Sequence, residues 1–257
     1  MKFDDLDSRL RVFETAHDHC VLPGIYLVAR LDGRNFTRLT KEVHEFERPF
    51  DERFRDCMVG TVRHLMQCGF QVRYGYTESD EISLLLDPDE DTFGRKLRKY
   101  HSILAGEASA KFSLLLGAMG VFDCRIAQLP RAVDVVDYFR WRAEDALRNA
   151  LNAHCYWLLR GEGATEVGAT THISGLSTAD KHELLFQRGI NFNNLPAWQR
   201  RGLGMYWHMV EREGYNPIKQ QPTQTMRREL TTDFELPVRE AYAQFIHDFL
   251  TEKSIVG

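Results

Sequence analysis

The clearest feature of the hydrophobic pattern is a short apolar run, residues 25–31, that lies between two turn signals. Pro23 and Gly24 precede the run, and Asp32 and Gly33 follow it. An apolar run of this length between turn residues predicts a buried β-strand. The predicted strand therefore ends at a carboxylate, and the next residue has no side chain to keep other groups away from its backbone.

The next apolar segments predict a helix and a pair of strands. Residues 51–68 repeat apolar positions at helical spacing, and Gly69 follows their end. Residues 70–76 and 82–86 are apolar runs joined by a short polar link, which predicts a β-hairpin. The order strand, helix, strand, strand begins a ferredoxin-like split βαβ unit. A right-handed crossover then places the first strand beside the second in parallel.

The rest of the chain alternates long periodic segments with glycine-rich breaks. We predict an α+β fold with an antiparallel or mixed sheet and helices on one face. Residues 131–257 form a mainly helical part packed on residues 1–130, with a soft boundary near residue 130. The remaining predictions are helices over residues 3–20, 92–118, 137–160 and 238–250, strands over 122–126, 132–136 and 226–235, and a loop over 161–176.

Composition places the chain among ordinary globular proteins. Its 257 residues are 43% hydrophobic and 27% charged, which is enough for a substantial core. The net charge of −4 means that basic residues must be gathered locally if the partner is a nucleic acid. The five cysteines form no C-x-x-C pair, which favours reduced thiols in the cytoplasm over disulfides or a zinc site. We expect neither a signal peptide nor a membrane span.

Three acidic residues mark the ends of the predicted strands. Asp32 ends the first strand, and Asp80 and Glu81 lie in the link of the hairpin. In the predicted topology, Asp32 and Asp80 lie side by side at one edge of the sheet. Carboxylate oxygens suit Mg²⁺, and two such ions can clamp both oxygens of a phosphoryl displacement. The alternative is that these residues form an ordinary turn and an ordinary hairpin tip.

Backbone and basic groups near these acids suit phosphate binding. Gly33 offers an open backbone and a carbonyl oxygen, and the N–H groups that follow suit a triphosphate. The alternative for the basic residues after the hairpin is a solvated helix face, and two later basic pairs are more often surface than site. The basic residues considered are Arg30 and Arg48 beside the acidic loop, Arg95, Lys96, Arg98 and Lys99 after the hairpin, and the pairs Arg200–Arg201 and Arg227–Arg228.

Five segments carry these motifs: residues 30–36 (RLDGRNF), 76–81 (YTESDE), 93–99 (FGRKLRK), 137–142 (DYFRWR) and 179–186 (ADKHELLF). Together they resemble the tRNA-His guanylyltransferase family, most closely its bacterial guanylyltransferase-like branch. The resemblance spans nearly the whole chain. It implies 3′-to-5′ nucleotide addition to the 5′ end of a tRNA, activation by ATP or GTP, and a catalytic domain like the palm of polymerases.

The resemblance also assigns roles to individual residues. Asp32, Asp80 and the carbonyl of Gly33 match the ligands of two Mg²⁺ ions, and Glu81 matches the third acid. Ser79 and residues 95–99 match residues around the activating nucleotide triphosphate. The full set of candidate nucleotide contacts is Arg30, Gly33, Arg34, Asn35, Phe36, Arg48, Ser79, Arg95, Lys96 and Lys99.

Two departures from the family pattern bear on the activity. Thr37 stands where eukaryotic members have a histidine, and residues 147–153 (LRNALNA) replace a signature that contains another histidine. These differences favour templated repair of tRNA 5′ ends over addition of a single non-templated G to tRNA-His, which stays open as an alternative.

Two further alternatives come from other functional classes. A nucleotidyl cyclase of palm fold expects a glycine pair before its acids, whereas the hairpin here reads Glu-Ser-Asp-Glu-Ile over residues 78–82. A non-catalytic RNA-binding module fits poorly, because unused carboxylates would repel phosphate.

The charge balance and the resemblance together lead to an expectation about assembly, because members of the family it resembles are typically homotetramers. One subunit with net charge −4 offers only separated basic pairs for a tRNA. A homotetramer would bring basic residues of one subunit to the active site of another. The candidates for this role are Arg200, Arg201, Arg227 and Arg228.

Overall fold

The computed structural model describes residues 2–40, 44–216 and 220–251, and its central feature is one six-stranded sheet. No helix within these ranges is long and apolar enough to cross a membrane. The elements in chain order are α1 (Phe3–Thr15), β1 (Tyr26–Gly33), α2 (Phe36–Arg38), α3 (Glu52–Leu65), β2 (Val72–Glu78), β3 (Glu81–Leu86), α4 (Leu97–Leu116), β4 (Phe122–Leu129), α5 (Ala132–Gly161), α6 (Glu166–Ser174), α7 (Thr178–Phe186), α8 (Ala197–Arg201), β5 (Leu203–Asn216), β6 (Gln221–Asp233) and α9 (Glu240–Thr251).

The sheet has the strand order β4-β1-β3-β2-β5-β6, and all its pairings are antiparallel. The predicted α+β class and the β2–β3 hairpin are confirmed. The predicted parallel pairing of the first two strands is wrong, because β3 folds back from the hairpin and pairs with both β1 and β2. The crossover rule sets the relative direction of two strands but does not prevent a hairpin strand from entering between them.

Helices cover both faces of the sheet, so the prediction of helices on one face is wrong. One face packs against α3 and α4 through residues such as Leu31 and Leu84. The opposite face packs against α5 and α9 through residues such as Val28 and Leu85. Every residue of β3 is buried, and a strand that is apolar on both sides requires cover on both sides.

The C-terminal part contributes strands as well as helices. The predicted strand near residues 226–235 corresponds to β6, but its partner β5 was not predicted, although β5 also pairs with β2 of the N-terminal half. Residues 132–136, predicted as a strand, open the 30-residue helix α5, and the predicted loop 161–176 contains α6. Because β5 extends the N-terminal sheet, we propose that the described parts of the two predicted domains fold as one unit.

Helix ends follow local signals in the sequence. The Asp51 side chain caps α3 by accepting a hydrogen bond of 2.7 Å from the Arg53 backbone N–H. Helix α4 ends at Gly117, whose φ of 72° lies in the left-handed region that favours glycine. Helix α4 then returns the chain to β4, next to the end of β1.

Helix α5 carries a charged residue within its buried stripe. Val135, Phe139 and Ala146 are buried at helical spacing, and Arg142 lies among them with only 4% of its surface exposed. The Arg142 guanidinium donates hydrogen bonds of 2.6 Å to both carboxylate oxygens of Glu81 on β3. This buried pair fixes α5 to the β2–β3 hairpin.

We predict that Arg142→Met lowers the free energy of unfolding by about 3 to 5 kcal/mol, because it leaves a buried carboxylate without its partner. Arg131→Met is the control. Arg131 pairs with Asp134 at 2.5 Å, but its side chain is 70% exposed, so the expected loss is far smaller than that of Arg142→Met. Urea unfolding followed by circular dichroism measures both. Equal losses in the two variants would contradict the structural role of Arg142.

Candidate active site

Four carboxylates lie in one row across the sheet, near the end of β1. The register places Asp32 opposite Asp123 on one side and opposite Glu81 on the other, and Glu81 lies opposite Glu78. The hairpin turn adds Asp80, whose backbone carbonyl accepts a hydrogen bond of 3.0 Å from the Gly33 N–H. The predicted meeting of Asp32 with the hairpin acids is therefore present, although β3 and not β2 is the strand next to β1.

Three arginines pair with acids of the row. Arg30 Nε lies 3.1 Å from Asp32 Oδ2, and Arg125 Nη2 lies 3.0 Å from the same oxygen. Arg142 holds Glu81 and also lies 3.7 Å from Glu78 Oε1. Like charges opposite each other on neighbouring strands are destabilising, so these guanidinium groups make the row compatible with folding.

Burial shifts the proton affinity of the acids. Burial raises the pKa of Glu78 to about 8, and the negative charge of Glu81 adds to the rise. Burial also raises the pKa of Asp80, and the charge of Asp32 contributes in the same direction. The pKa of Glu81 is raised by burial as well, although the hydrogen bonds from Arg142 oppose the rise. Burial is the main cause of all three shifts, so these carboxyl groups hold their protons more firmly than exposed carboxyl groups do.

An open cavity, which we call the acidic cavity, lies over the row and beside α5. Asp32, Asp80 and Glu81 line it from the sheet, and Arg142 lines it from the helix. The other residues that line it are Arg30, Glu78, Ser79, Trp141, Asp145, Arg148 and Asn149.

The donor set of this cavity fits Mg²⁺ that is shared with a substrate. Within the described ranges, no group of three or more His, Cys, Asp or Glu side chains is arranged to hold a metal ion. Mg²⁺, however, commonly takes one or two carboxylates and completes its shell with water and substrate phosphates. Asp32 and Asp80 open into the same cavity and offer such a partial set of hard oxygen ligands.

A second cavity, which we call the aromatic cavity, lies on the other side of the hairpin tip and has a volume of about 330 Å³. Arg48 lies 4.8 Å from the ring centre of Trp157, and Arg55 lies 4.8 Å from that of Trp198. Stacked guanidinium groups on aromatic rings suit a flat, polar ligand such as a nucleobase. Glu78, Ser79 and Asp80 line both cavities, so the hairpin tip separates them.

The predicted residues of the loop after β1 divide into buried and exposed positions. Phe36 is buried against Phe112 and Phe122, with ring centres 4.9 and 5.0 Å away, and it also lines the aromatic cavity. A Cβ at Gly33 would lie 2.6 Å from the Phe36 ring, so this glycine is required by packing. Arg34 and Asn35 are exposed beside them.

The predicted basic cluster is not brought to the acids of its own chain. Arg95 is buried and donates to the Ile25 carbonyl at 2.8 Å, just before β1 begins. Asp32 lies seven residues further along the strand, roughly 23 Å away at the usual rise per residue. Lys96 pairs with Asp18 at 2.9 Å, and Lys99 lies over the ring of Phe93. A nucleotide role for this cluster stays a prediction that requires a second subunit.

The two later basic pairs differ in exposure. Arg200 donates to the Leu195 carbonyl at 2.9 Å, and Arg201 lies 3.7 Å from Glu235 with most of its side chain covered. Arg227 and Arg228 are exposed on β6, where Arg228 lies 4.4 Å from the ring centre of Trp207. Only the second pair therefore offers an accessible basic surface.

Sequence reasoning missed Arg125, Arg142, Glu78 and the aromatic lining of the second cavity. One signal was available for Arg142, because a charged residue at a buried position of an amphipathic helix requires a buried partner. Arg125 had no such signal, since only the pairing of β4 with β1 places it opposite Arg30 and next to Asp32.

Comparison with known proteins identifies the family. A family model described as tRNAHis guanylyltransferase matches residues 7–130, and a model described as Thg1 C terminal domain matches residues 133–246. The probable tRNA(His) guanylyltransferase of Drosophila melanogaster is 33% identical over 195 residues, which is 72% of this chain and 68% of that protein. The tRNA(His) guanylyltransferase of Schizosaccharomyces pombe is 29% identical over 210 residues, or 75% of this chain and 80% of that protein.

Solved structures give the same result. A bacterial tRNA(His) guanylyltransferase-like protein in complex with GTP is 25% identical and has a TM-score of 0.76, covering 97% of this chain and 100% of that chain. The tRNA(His) guanylyltransferase of Saccharomyces cerevisiae is 26% identical and has a TM-score of 0.69, covering 75% of this chain and 90% of that chain. The resemblance found in the sequence motifs is thus confirmed, and the chain belongs to the tRNA(His) guanylyltransferase family of nucleotidyltransferases.

Proposed function

We propose that the protein adds nucleotides to the 5′ end of a tRNA in the 3′-to-5′ direction, copying the opposite strand. One observation carries the proposal: the hairpin tip, residues 78–80, lies between the aromatic and the acidic cavity. A nucleotide whose base occupies the aromatic cavity would have the hairpin tip with Asp80 beside it. The names of the relatives and the GTP complex of the bacterial guanylyltransferase-like protein support a tRNA substrate and a nucleotide ligand.

The reaction has two steps when the tRNA ends in a 5′-monophosphate. An oxygen of the 5′-phosphate first attacks the α-phosphorus of ATP or GTP, and pyrophosphate leaves. The 3′-hydroxyl of an incoming nucleoside triphosphate then attacks the activated 5′-phosphorus, and the nucleoside monophosphate leaves as the new phosphodiester forms. A tRNA with a 5′-triphosphate skips the first step and releases pyrophosphate in the second.

The side chains of the acidic cavity have distinct tasks in this scheme. Asp32, Asp80 and the Gly33 carbonyl would hold two Mg²⁺ ions, which when bound supply a more acidic hydroxyl and neutralise the triphosphate. Arg30 lies 3.1 Å from Asp32 and 3.5 Å from Glu81, so it orients both acids. Both oxygens of Glu81 are occupied by Arg142, which gives Glu81 a positioning role.

The aromatic cavity suits the base of the activating nucleotide. Its lining combines rings, such as Trp157 and Phe46, with the guanidinium of Arg48, which lies over Trp157. A base can stack on these rings, and the guanidinium adds an attraction for the nucleotide's negative charge. Ser79 lies at the hairpin tip, where the phosphates of such a nucleotide would pass.

Templated addition is favoured over the non-templated addition of one G. Leu147 is exposed on α5, next to the cavity residues Arg148 and Asn149. It presents an aliphatic side chain where the signature of eukaryotic relatives begins with a histidine. The tRNA(His) guanylyltransferase activity in the relatives' names is the second candidate.

We also propose a homotetramer. Within one chain, Lys96 and Lys99 lie far from Asp32. Arg227 and Arg228 are exposed on β6, an edge strand of the sheet. A neighbouring subunit that presents such residues to the acidic cavity would supply the cationic surface that a tRNA requires. Light scattering of the active protein tests this arrangement.

The central experiment offers 5′-truncated tRNAs and each of four labelled nucleoside triphosphates. We expect addition of the nucleotide that matches the opposite base, and a loss of at least about 100-fold in Asp32→Asn and in Asp80→Asn, because neither amide can replace a charged ligand. The matched control is Asp134→Asn, whose carboxylate pairs with Arg131 away from the cavity. Full activity in either site variant would disprove the metal assignment, and G-only addition would favour the second candidate.

A second prediction separates activation from addition. Arg48→Ala removes the guanidinium over Trp157, so we expect the KM for ATP or GTP to rise about 10-fold when the tRNA carries a 5′-monophosphate. Addition to a 5′-triphosphorylated tRNA should be unchanged, since this substrate needs no activation. Arg11→Ala, which breaks an exposed pair with Asp7, serves as the control. Equal losses on both substrates would show that Arg48 does not act on the activating nucleotide.

A third prediction concerns pH. The folded state raises the pKa of Glu78 from 4.5 to about 8, so it binds more protons than the unfolded state between these values. The contribution of Glu78 to the free energy of unfolding is therefore greatest below pH 4.5 and is lost as the pH rises to about 8. Without metal, Glu78→Gln should therefore unfold with a flatter pH dependence over this window than the wild type. The control is Glu166→Gln at an exposed carboxylate, in which the free energy of unfolding should keep the wild-type dependence on pH. An unchanged pH dependence in Glu78→Gln would contradict the prediction.

A further inference from the structure

One carboxylate oxygen of Asp32 already has two guanidinium partners. Asp32 Oδ2 accepts from Arg30 Nε at 3.1 Å and lies 3.0 Å from Arg125 Nη2. The positive charges of both guanidinium groups oppose a cation that binds this carboxylate. The structure thus places two positive charges beside the carboxylate that the proposed function assigns to the metal.

The two arginines differ in how firmly they are held. Arg30 has only 18% of its side chain exposed and lies between Asp32 and Glu81. Arg125, on β4, is 59% exposed, and its other acidic neighbour is the exposed Asp123 at 3.6 Å. An exposed ion pair of this kind is weak and its side chain moves easily. Arg125 is therefore the partner that yields when a cation arrives.

The displaced guanidinium needs a new partner, and the incoming complex provides one. A divalent ion on Asp32 repels the guanidinium at short range. Mg²⁺ in nucleotide enzymes is bound together with substrate phosphates, which bring several negative oxygens into the same space. The planar fork of an arginine matches a phosphate group and can donate two hydrogen bonds to it.

We propose that Arg125 is a hand-over residue: it occupies Asp32 in the free protein and transfers to a phosphate of the nucleotide or of the tRNA 5′ end when metal and substrate bind. The proposal rests on the proposed function, since it assumes the metal at Asp32. It assigns to Arg125 two opposite effects on two ligands. Arg125 weakens the binding of metal alone, and it strengthens the binding of phosphate in the presence of metal.

The test measures the affinity of the full chain for each of the two ligands separately. Mn²⁺ binding to the free protein is followed by electron paramagnetic resonance, without nucleotide. In Arg125→Ala the competing ion pair is gone, so we expect Mn²⁺ to bind about 2- to 5-fold more tightly. GTP binding at saturating Mn²⁺ should become about 10-fold weaker, because a charge-assisted hydrogen bond to phosphate is lost.

Two further variants control for charge and geometry. Arg131→Ala removes the same charge from an exposed pair outside the cavity, and both affinities should stay at the wild-type values. Arg125→Lys keeps the positive charge but lacks the planar guanidinium group that donates two hydrogen bonds. The affinity for Mn²⁺ should therefore stay near the wild-type value, while the affinity for GTP falls. If Arg131→Ala changed both affinities as much as Arg125→Ala does, the effect would come from net charge alone and the proposal would be overturned.

The outcomes distinguish this proposal from the proposed function. Normal Mn²⁺ binding that is lost in Asp32→Asn but is unchanged or weaker in Arg125→Ala would overturn the hand-over alone. Mn²⁺ binding that is the same in wild type and in Asp32→Asn would overturn both the metal site and the hand-over. Tighter Mn²⁺ binding with unchanged GTP affinity would also overturn the transfer to phosphate.

Discussion

The row of like charges at the end of β1 is the constraint on which the rest of the site depends. Asp123, Asp32, Glu81 and Glu78 lie opposite one another on four neighbouring strands. Such an arrangement is unstable without counter-charges. The counter-charges come from three elements, Arg30 on β1, Arg125 on β4 and Arg142 on α5, so the charge balance fixes how the helix and the sheet meet.

The same pairs also divide the acids into two kinds. Arg142 is buried and saturates Glu81, whereas the groups around Asp32 and Asp80 stay open to the acidic cavity. The buried pair is thus a structural element, whereas Asp32 and Asp80 line the acidic cavity. Burial raises the pKa values of Asp80 and Glu78, and neighbouring carboxylates add to the rise. In the proposed function, a divalent ion with a bound nucleotide would lie beside these groups.

In the proposed function, the hairpin tip connects the acidic cavity to nucleotide recognition. A single short turn separates an aromatic cavity from an acidic one, so one ligand can be recognised through its base and react through its phosphates. The two cavities share the hairpin tip and are both lined by α5. The aromatic lining combines residues near α3, such as Phe54, with Trp157 of α5 and Trp198 of α8.

The sequence by itself determined the strand that ends at Asp32, the hairpin that carries Asp80 and Glu81, the α+β class and the family, because each depends on local patterns and short motifs. Tertiary structure alone decided the rest. Entry of β3 between β1 and β2 brought Asp32 opposite Glu81, and pairing of β4 with β1 brought Arg125 to Asp32. The separation of the basic cluster from the acids followed from α4 beginning near the start of β1. Contacts between residues distant along the chain depend on strand order and helix packing, and no local pattern in the sequence specifies these.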